Sequence, residues 1–445
     1  MAQAVLSVWA RCPLLLVAMS TAQEEVPTLR TIRAEDVEDQ EFEPVDAAAH
    51  KQALEIITAV KARKEEALLE YAWKFGELPS DSRKFLLGKE EMRKVFEELP
   101  ADKQELLQRT AARITSFAEA QRRSVQSTEV DIAGGKAGQT VSPVERAGCY
   151  APGGRYPLPS SVLMTACTAR AAGVSEVIVA SPKPSPVTIA AAHVAGADFL
   201  LTVGGAQAIA AMAHGVGVPP CNIIVGPGNQ WVTAAKSIVY GVCGIDMLAG
   251  PSEVLVIADS SADADVVAAD LLAQAEHDVV ARPILVSPEQ SVIEAVNVAL
   301  KKQLAVLPTK DTAAPAVRNG FAVLVPDMDS AVAVSNRIAP EHLEIQTKDS
   351  QQVANACTAY GGLFIGAHAA EVLGDYGAGP NHVLPTSCTA KYTGGLSVHT
   401  FLRLRTWMRI DDASAAQAQV ADAVALAREE GLEGHARAAE KRRKV

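Results

Sequence analysis

Large side chains are scarce in this chain. Aromatic residues make up 4% of the 445 residues, while apolar residues reach 49%, carried chiefly by Ala and Val. That excludes a core built on stacked rings and favours small-residue helices packed closely on sheets, the profile of an α/β enzyme. Bases are also in the minority, 41 against 52 acids, for a net charge of −11. No strongly basic domain is available to neutralise phosphates, so nucleic acid is not expected as a partner. The one basic run, Lys441-Arg442-Arg443-Lys444, reads as a solvated tail. None of the seven cysteines forms a C-x-x-C pair. This argues against a disulfide framework or a cysteine-built zinc site and for buried free thiols in a reducing compartment. No membrane association is expected, because Pro13-Leu14-Leu15-Leu16-Val17-Ala18-Met19 is too short to span a bilayer.

That run belongs to residues 1–23, which hold no acid and one base, Arg11. A secretory leader needs a positive start that is nearly missing here, so an organelle transit peptide is the better reading of residues 1–25; an unstructured extension is the alternative. A plastid is the expected destination if the segment is a transit peptide, and otherwise the cytoplasm.

The length suggests two to four domains. Residues 26–142 read as a helical N-terminal region, with helices over 45–77, 89–98 and 101–122, followed by a hairpin turning at Gly134-Gly135. From about 143, strands and helices alternate. Two such runs, 143–250 and 251–385, predict two open doubly wound parallel sheets. Residues 386–445 read as a C-terminal helical tail that reaches over a partner subunit.

Several familiar fingerprints are missing. Gly134-Gly135-Lys136-Ala137-Gly138-Gln139-Thr140 lacks the spacing of a phosphate loop. There is no H-E-x-x-H, and no glycine turn has the G-x-G-x-x-G form. Glycine turns do stand at element ends: Tyr150-Ala151-Pro152-Gly153-Gly154, Gly204-Gly205-Ala206-Gln207 and Gly226-Pro227-Gly228-Asn229. Such turns at helix N-termini suit a dinucleotide's phosphates, although each is equally at home as a plain tight turn.

The candidates for chemistry lie further on. Ala339-Pro340-Glu341-His342 heads an alternating run, Leu343 and Ile345, which places an acid and an imidazole at a strand mouth. Proline biases the residue before it towards extended geometry. Gln274 and His277 share a face at a helix end. Gly374-Asp375-Tyr376-Gly377-Ala378-Gly379-Pro380-Asn381-His382 is glycine-dense and carries an Asp and a His. One Gln, one Asp and two His, His435 among them, would make a nitrogen- and oxygen-only site suited to Zn²⁺. Without that grouping, these residues read as a polar helix end, a surface loop and a lone histidine.

Taken together, these segments resemble the histidinol dehydrogenase family from about residue 28 onward. The resemblance rests on the three glycine turns, Ala249-Gly250-Pro251-Ser252-Glu253, Gln274-Ala275-Glu276-His277, Pro340-Glu341-His342-Leu343 and the Gly374–Pro385 stretch. It implies two Rossmann-like domains of the aldehyde-dehydrogenase-like kind, with NAD bound by 143–250 and the zinc and catalytic residues in 251–385. It also implies oxidation of L-histidinol to L-histidine in two NAD-dependent steps, with one Zn²⁺ per subunit and a homodimer sharing its active sites. By the same resemblance Gln274, His277, Asp375 and His435 are the zinc ligands, and Glu341 and His342 the acid–base pair. Ser252, His342 and Glu430 then contact substrate beside the metal ligands, and Tyr150, Gln207 and Asn229 contact NAD. Three rivals stand beside this reading. One is an aldehyde-dehydrogenase-like enzyme using Cys149, Cys167, Cys243 or Cys388 as nucleophile. The others are a catalytically inactive relative and a zinc hydrolase.

Overall fold

The computed structural model describes residues 26–37, 44–153 and 157–443. The expected leader over 1–25 lies outside the described residues, as do Gly154 of the first glycine turn and Lys444 of the basic run.

Two six-stranded sheets carry the structure. The first runs, across the sheet, Leu86–Gly88, Phe199–Leu201, Glu176–Ala180, Arg146–Tyr150, Ile223–Val225 and Gly244–Ile245. Its pairs are parallel except for Leu86–Gly88, which runs antiparallel to Phe199–Leu201. The second runs Arg30–Arg33, Phe321–Leu324, Arg282–Ser287, Glu253–Ala258, His342–Gln346 and Gly362–Ile365, parallel throughout. Strands buried on both faces need continuous apolar runs, and Val254 to Ala258 supply one. The covering helices are alanine-rich: Ala190, Ala191 and Ala192 are fully buried, as are Ala208, Ala210 and Ala211. With no bulk at these positions the helix backbones sit close to the sheet, so enlarging any of them costs about 1–3 kcal/mol.

The α/β architecture with parallel sheets therefore matches expectation, but the segments do not stay in sequence order. The N-terminal region is not all-helical and does not stand apart. Its first strand, Arg30–Arg33, completes the edge of the second sheet through Phe321–Leu324. Its helices Ala47–Arg63, Glu65–Lys74, Lys89–Glu97 and Ala101–Ser124 pack on the first unit, sharing its two apolar clusters.

The hairpin turning at Gly134 is present, with Thr128–Ile132 antiparallel to Gly135–Pro143. A third strand, Leu402–Ile410, joins it where only a helical tail was expected. It carries Arg403, Arg405 and Arg409 between Leu404, Met408 and Ile410, and it stays largely exposed, so no buried apolar run announced it. Helix Lys310–Asn319 was hidden by its internal Pro315. Helices Gln417–Glu429 and Glu433–Glu440 close the chain, packed against each other.

Candidate active site

The first sheet ends in a cavity at its carboxyl edge, where open α/β sheets place ligands. Tyr150 is the last residue of its strand, and its hydroxyl accepts a hydrogen bond from the Gly205 N–H at 3.1 Å. Gly205 has φ +58° and opens helix Gly205–His214, which brings Gln207 into the first turn. The Gln207 amide donates to Glu77 Oε2 at 2.9 Å. Asn229 caps helix Gln230–Val239 by accepting from the Trp231 and Val232 N–H groups, each at 3.2 Å. Gly226 between them has φ +119°, and a Cβ there would fall 2.0 Å from the Tyr150 carbonyl oxygen. Tyr150, Gln207 and Asn229 thus line one cavity of about 600 Å³, walled also by Ile56, Pro182 and Trp231. That volume is ordinary for a small-molecule site.

The cluster around Glu341 and His342 sits at the opposite kind of edge, the amino end of the second sheet. Helix Met328–Ile338 stops at Ala339, which takes φ +50° rather than the extended geometry expected before a proline. That left-handed residue turns the chain sharply, so Glu341 precedes a strand that starts at His342. Register sets His342 beside Val254, which brings Ser252 and Glu253 to the same mouth.

Both members of the pair are buried. Glu341 Oε2 accepts from the Glu253 N–H at 3.1 Å. Burial pushes the Glu341 carboxyl well above the usual range; the Glu253 and Asp375 carboxylates add to the rise, while hydrogen bonds from Glu253 and Ser252 oppose it. His342 Nδ1 lies 3.3 Å from the Glu253 carbonyl oxygen and 3.0 Å from Gln274 Oε1. A carbonyl can only accept, so Nδ1 carries the hydrogen and Nε2 holds a lone pair. That Nε2 is buried and makes no hydrogen bond. Burial lowers the imidazole to about 3, so it is neutral at working pH.

Gln274 lies in the last turn of helix Ala264–Ala275, while His277 falls just past the helix end, its N–H donating to the Gln274 carbonyl at 3.2 Å, and His277 Nε2 stands 3.6 Å from Asp375 Oδ2. His342 Nε2 is 3.8 Å from Asp375 Oδ1. His277, Asp375 and Glu371 each offer a ligand atom within 4.8 Å of the others. Glu371 was not singled out from the sequence. It opens the short helix Glu371–Asp375 one turn before Asp375, and that i, i+4 spacing was the available signal. Both of its carboxylate oxygens are buried without a hydrogen-bond partner, and burial pushes it well above the usual range. Burial raises Asp375 too. His382, noted in the glycine-dense stretch but given no role there, holds the Asp375 carbonyl oxygen at 3.0 Å from its Nδ1. Crowded, underpartnered carboxylates beside an imidazole fit a divalent cation, whose charge would offset the burial.

Two expected residues are not brought in by one chain. Glu430 and His435 are exposed on the tail, and His435 is not among the ligand atoms gathered at Asp375. The cysteine rival finds no support. Burial pushes Cys149 up to about 12 and Cys167 and Cys243 to about 11. Cys388 sits half-buried in a left-handed turn.

The chain is thus an α/β protein of two sheet units, one with a helix-capped cavity and the other with a cluster of buried ionisable groups around His342, and comparison with known proteins places it among the oxidoreductases. A family model described as Histidinol dehydrogenase matches residues 40–443. A histidinol dehydrogenase of Dechloromonas aromatica is 42% identical over 403 residues, 89% of this chain and 92% of the relative. One of Thermus thermophilus is 45% identical over 395 residues, 87% of this chain and 93% of the relative. The crystal structure of histidinol dehydrogenase from Elizabethkingia anophelis superposes with a TM-score of 0.87 at 29% identity, covering 94% of this chain and 98% of that one. The chain belongs to the histidinol dehydrogenase family. Among the described residues, no helix is long and apolar enough to cross a membrane.

Proposed function

We propose that the chain oxidises L-histidinol to L-histidine through the aldehyde, the closing steps of histidine biosynthesis, using NAD and one zinc ion per subunit. The observation that carries this reading is the unpartnered Nε2 lone pair of His342, facing Asp375 in the cluster with His277. Gln274, His277 and Asp375 would hold the zinc, with His435 completing the set. When bound, zinc supplies an anchor that orients the substrate, and NAD supplies a hydride acceptor for each step.

The chain's own residues do the rest. His342 Nε2 takes the alcohol proton while the Glu253 carbonyl and Gln274 keep its ring and tautomer fixed. Glu341 next to it, in its ionised form, accepts a proton from the water that adds to the aldehyde. Ser252, half-buried beside Glu341, contacts the substrate. Tyr150, Gln207 and Asn229 bind NAD in the cavity they line.

A homodimer is part of this reading. Val130, Leu404 and Met408 on the three-stranded sheet, and Leu426 and Leu432 on the tail, are exposed apolar side chains of the kind that mark subunit contacts. A tail laid over a second copy would bring Glu430 and His435 to the site that one chain leaves without them. The decisive measurement counts NADH and histidine formed from L-histidinol, with and without a chelator. Two NADH per histidine, lost with chelator and restored by Zn²⁺, are expected. Failure to form NADH by folded, zinc-loaded protein overturns the proposal.

A further inference from the structure

The cavity on the first sheet holds a residue that the proposed NAD contacts do not explain. Glu77 follows helix Glu65–Lys74 and lines the cavity together with Tyr150, Gln207 and Asn229. Its Oε1 accepts from the Gly204 N–H at 3.1 Å and its Oε2 from the Gln207 amide at 2.9 Å. Gly204 is the N-cap of helix Gly205–His214, so a carboxylate already occupies the place where that helix would attract a phosphate. Each carboxylate oxygen keeps further acceptor capacity and has nothing to donate. This corner of the cavity therefore welcomes a hydroxyl and repels an anion.

The cavity also fits one end of the dinucleotide better than the other. Its lining is drawn from residues 52–231, whereas the pocket around His342 and Asp375 is lined from residues 342–384, and among the described residues the two have none in common. The end that accepts hydride must reach His342. The cavity is then left for the adenosine end, whose flat base suits the apolar walls Ile56, Phe75, Pro182 and Trp231.

We infer that Glu77 accepts a hydrogen bond from the adenosine 2′-hydroxyl and turns away a cofactor that carries a 2′-phosphate there, making it the residue that selects NAD over NADP. The inference rests on the reading that this cavity takes the dinucleotide. Lys183 is the other charged residue of the lining, and its Nζ lies near Gly76, next to Glu77. While Glu77 is ionised it engages that lysine electrostatically. Removing the carboxylate charge frees Lys183 to meet a phosphate, which reinforces the switch.

The test compares NAD and NADP as cofactors for the full-length zinc-loaded enzyme and its Glu77→Gln variant. The KM for NAD is expected to rise and that for NADP to fall, so that the ratio of kcat/KM values shifts towards NADP by roughly tenfold or more. Parallel loss with both cofactors overturns the inference, because a merely structural role would weaken them together. A second measurement needs no variant. With wild-type enzyme, 2′-deoxyadenosine 5′-monophosphate is expected to compete with NAD more weakly than adenosine 5′-monophosphate. Equal competition overturns the role of Glu77. No competition by either nucleotide instead overturns the placement of the adenosine end in this cavity, and the inference falls with it.

Discussion

Nε2 of His342 stands 3.8 Å from Oδ1 of Asp375 and makes no hydrogen bond, while Nδ1 on the other side of the ring is fixed against the Glu253 carbonyl at 3.3 Å. One nitrogen is thus tied to the backbone, and the other keeps a free lone pair that faces the site. Replacing His342 by Gln removes the base and keeps a polar side chain of similar length. A fall in kcat of about 10²–10⁴-fold is expected, the usual contribution of a positioned base. The KM for NAD should change far less than kcat, since the adenosine end of the cofactor is held in the cavity that Tyr150 lines. Steady-state kinetics at saturating L-histidinol check this, and a kcat within threefold of wild type would remove His342 from the mechanism.

Asp375 contributes a carboxylate to the cluster with His277 and Glu371. Asp375→Asn keeps the shape and deletes the charge. Zinc per subunit, measured by atomic emission after extensive dialysis, is expected to fall well below one, and activity should return in part with added Zn²⁺. Full zinc occupancy in this variant would place the metal elsewhere.

The exposed tail makes a different prediction. If His435 serves the partner's site, then Asp375→Asn and His435→Asn subunits, each inactive alone, complement each other when mixed and reassociated. One site of each hybrid dimer would combine an intact Asp375 with an intact His435. About a quarter of wild-type activity is expected from a random mixture, because half the dimers are hybrids with one good site each. No recovery, with hybrid dimers shown to form, would mean that the tail folds back on its own chain.

Much of this was legible from local pattern. The continuous apolar run Val254 to Ala258 marks a strand buried on both faces, and the Asn229 cap marks the start of helix Gln230–Val239, so both follow from local sequence. Partnerships distant in sequence were not legible. Nothing in Arg30–Arg33 says that it will pair with Phe321–Leu324. The Glu341-His342 pair was visible at the head of a strand, but not which residues that amino edge would bring beside it, because strand order is set by crossovers distant in sequence. Glu371 escaped because a glutamate at a short helix start normally reads as a solvated residue near the dipole. Its burial comes from the neighbouring strand, where Glu344 Oε1 accepts from the Glu371 N–H at 2.8 Å.

That neighbour yields a pH prediction. Burial, and then the Asp270 carboxylate, push Glu344 up to about 8, while Gln346 donates to both acids, at 2.7 Å to Asp270 and 3.1 Å to Glu344. The folded chain therefore holds a proton in this pair more tightly than the unfolded chain does. Its contribution to stability is complete below the ordinary glutamate range and is lost as pH rises through about 8. Urea unfolding of wild-type protein should show stability declining between about pH 5 and about pH 8 and levelling off above that, and Glu344→Gln should flatten that decline. An unchanged slope in the variant would assign the pH dependence to other groups.

The last prediction concerns the turn that carries Asn229. The Asp246 side chain is buried, and its Oδ2 accepts from the Gly226 N–H at 2.7 Å while Oδ1 accepts from the Met247 N–H at 2.7 Å. Lys236, also buried and paired with Asp246, donates to the Gly226 carbonyl at 3.0 Å. Both polar groups of Gly226 are thus held by one ion pair, at a residue whose backbone geometry no other side chain tolerates easily. Lys236→Met strands the Asp246 charge and should destabilise by about 3–5 kcal/mol. Adding Asp246→Asn restores a neutral acceptor for the Gly226 N–H, so the double variant should recover part of that loss instead of adding to it. Urea unfolding of the two single variants and the double variant reads out this coupling. Because the pair fastens the turn and not the second sheet, the double variant should also show a raised KM for NAD with the zinc content intact. Additive losses with an unchanged KM would reduce the pair to one more packing contact, with no part in shaping the cavity.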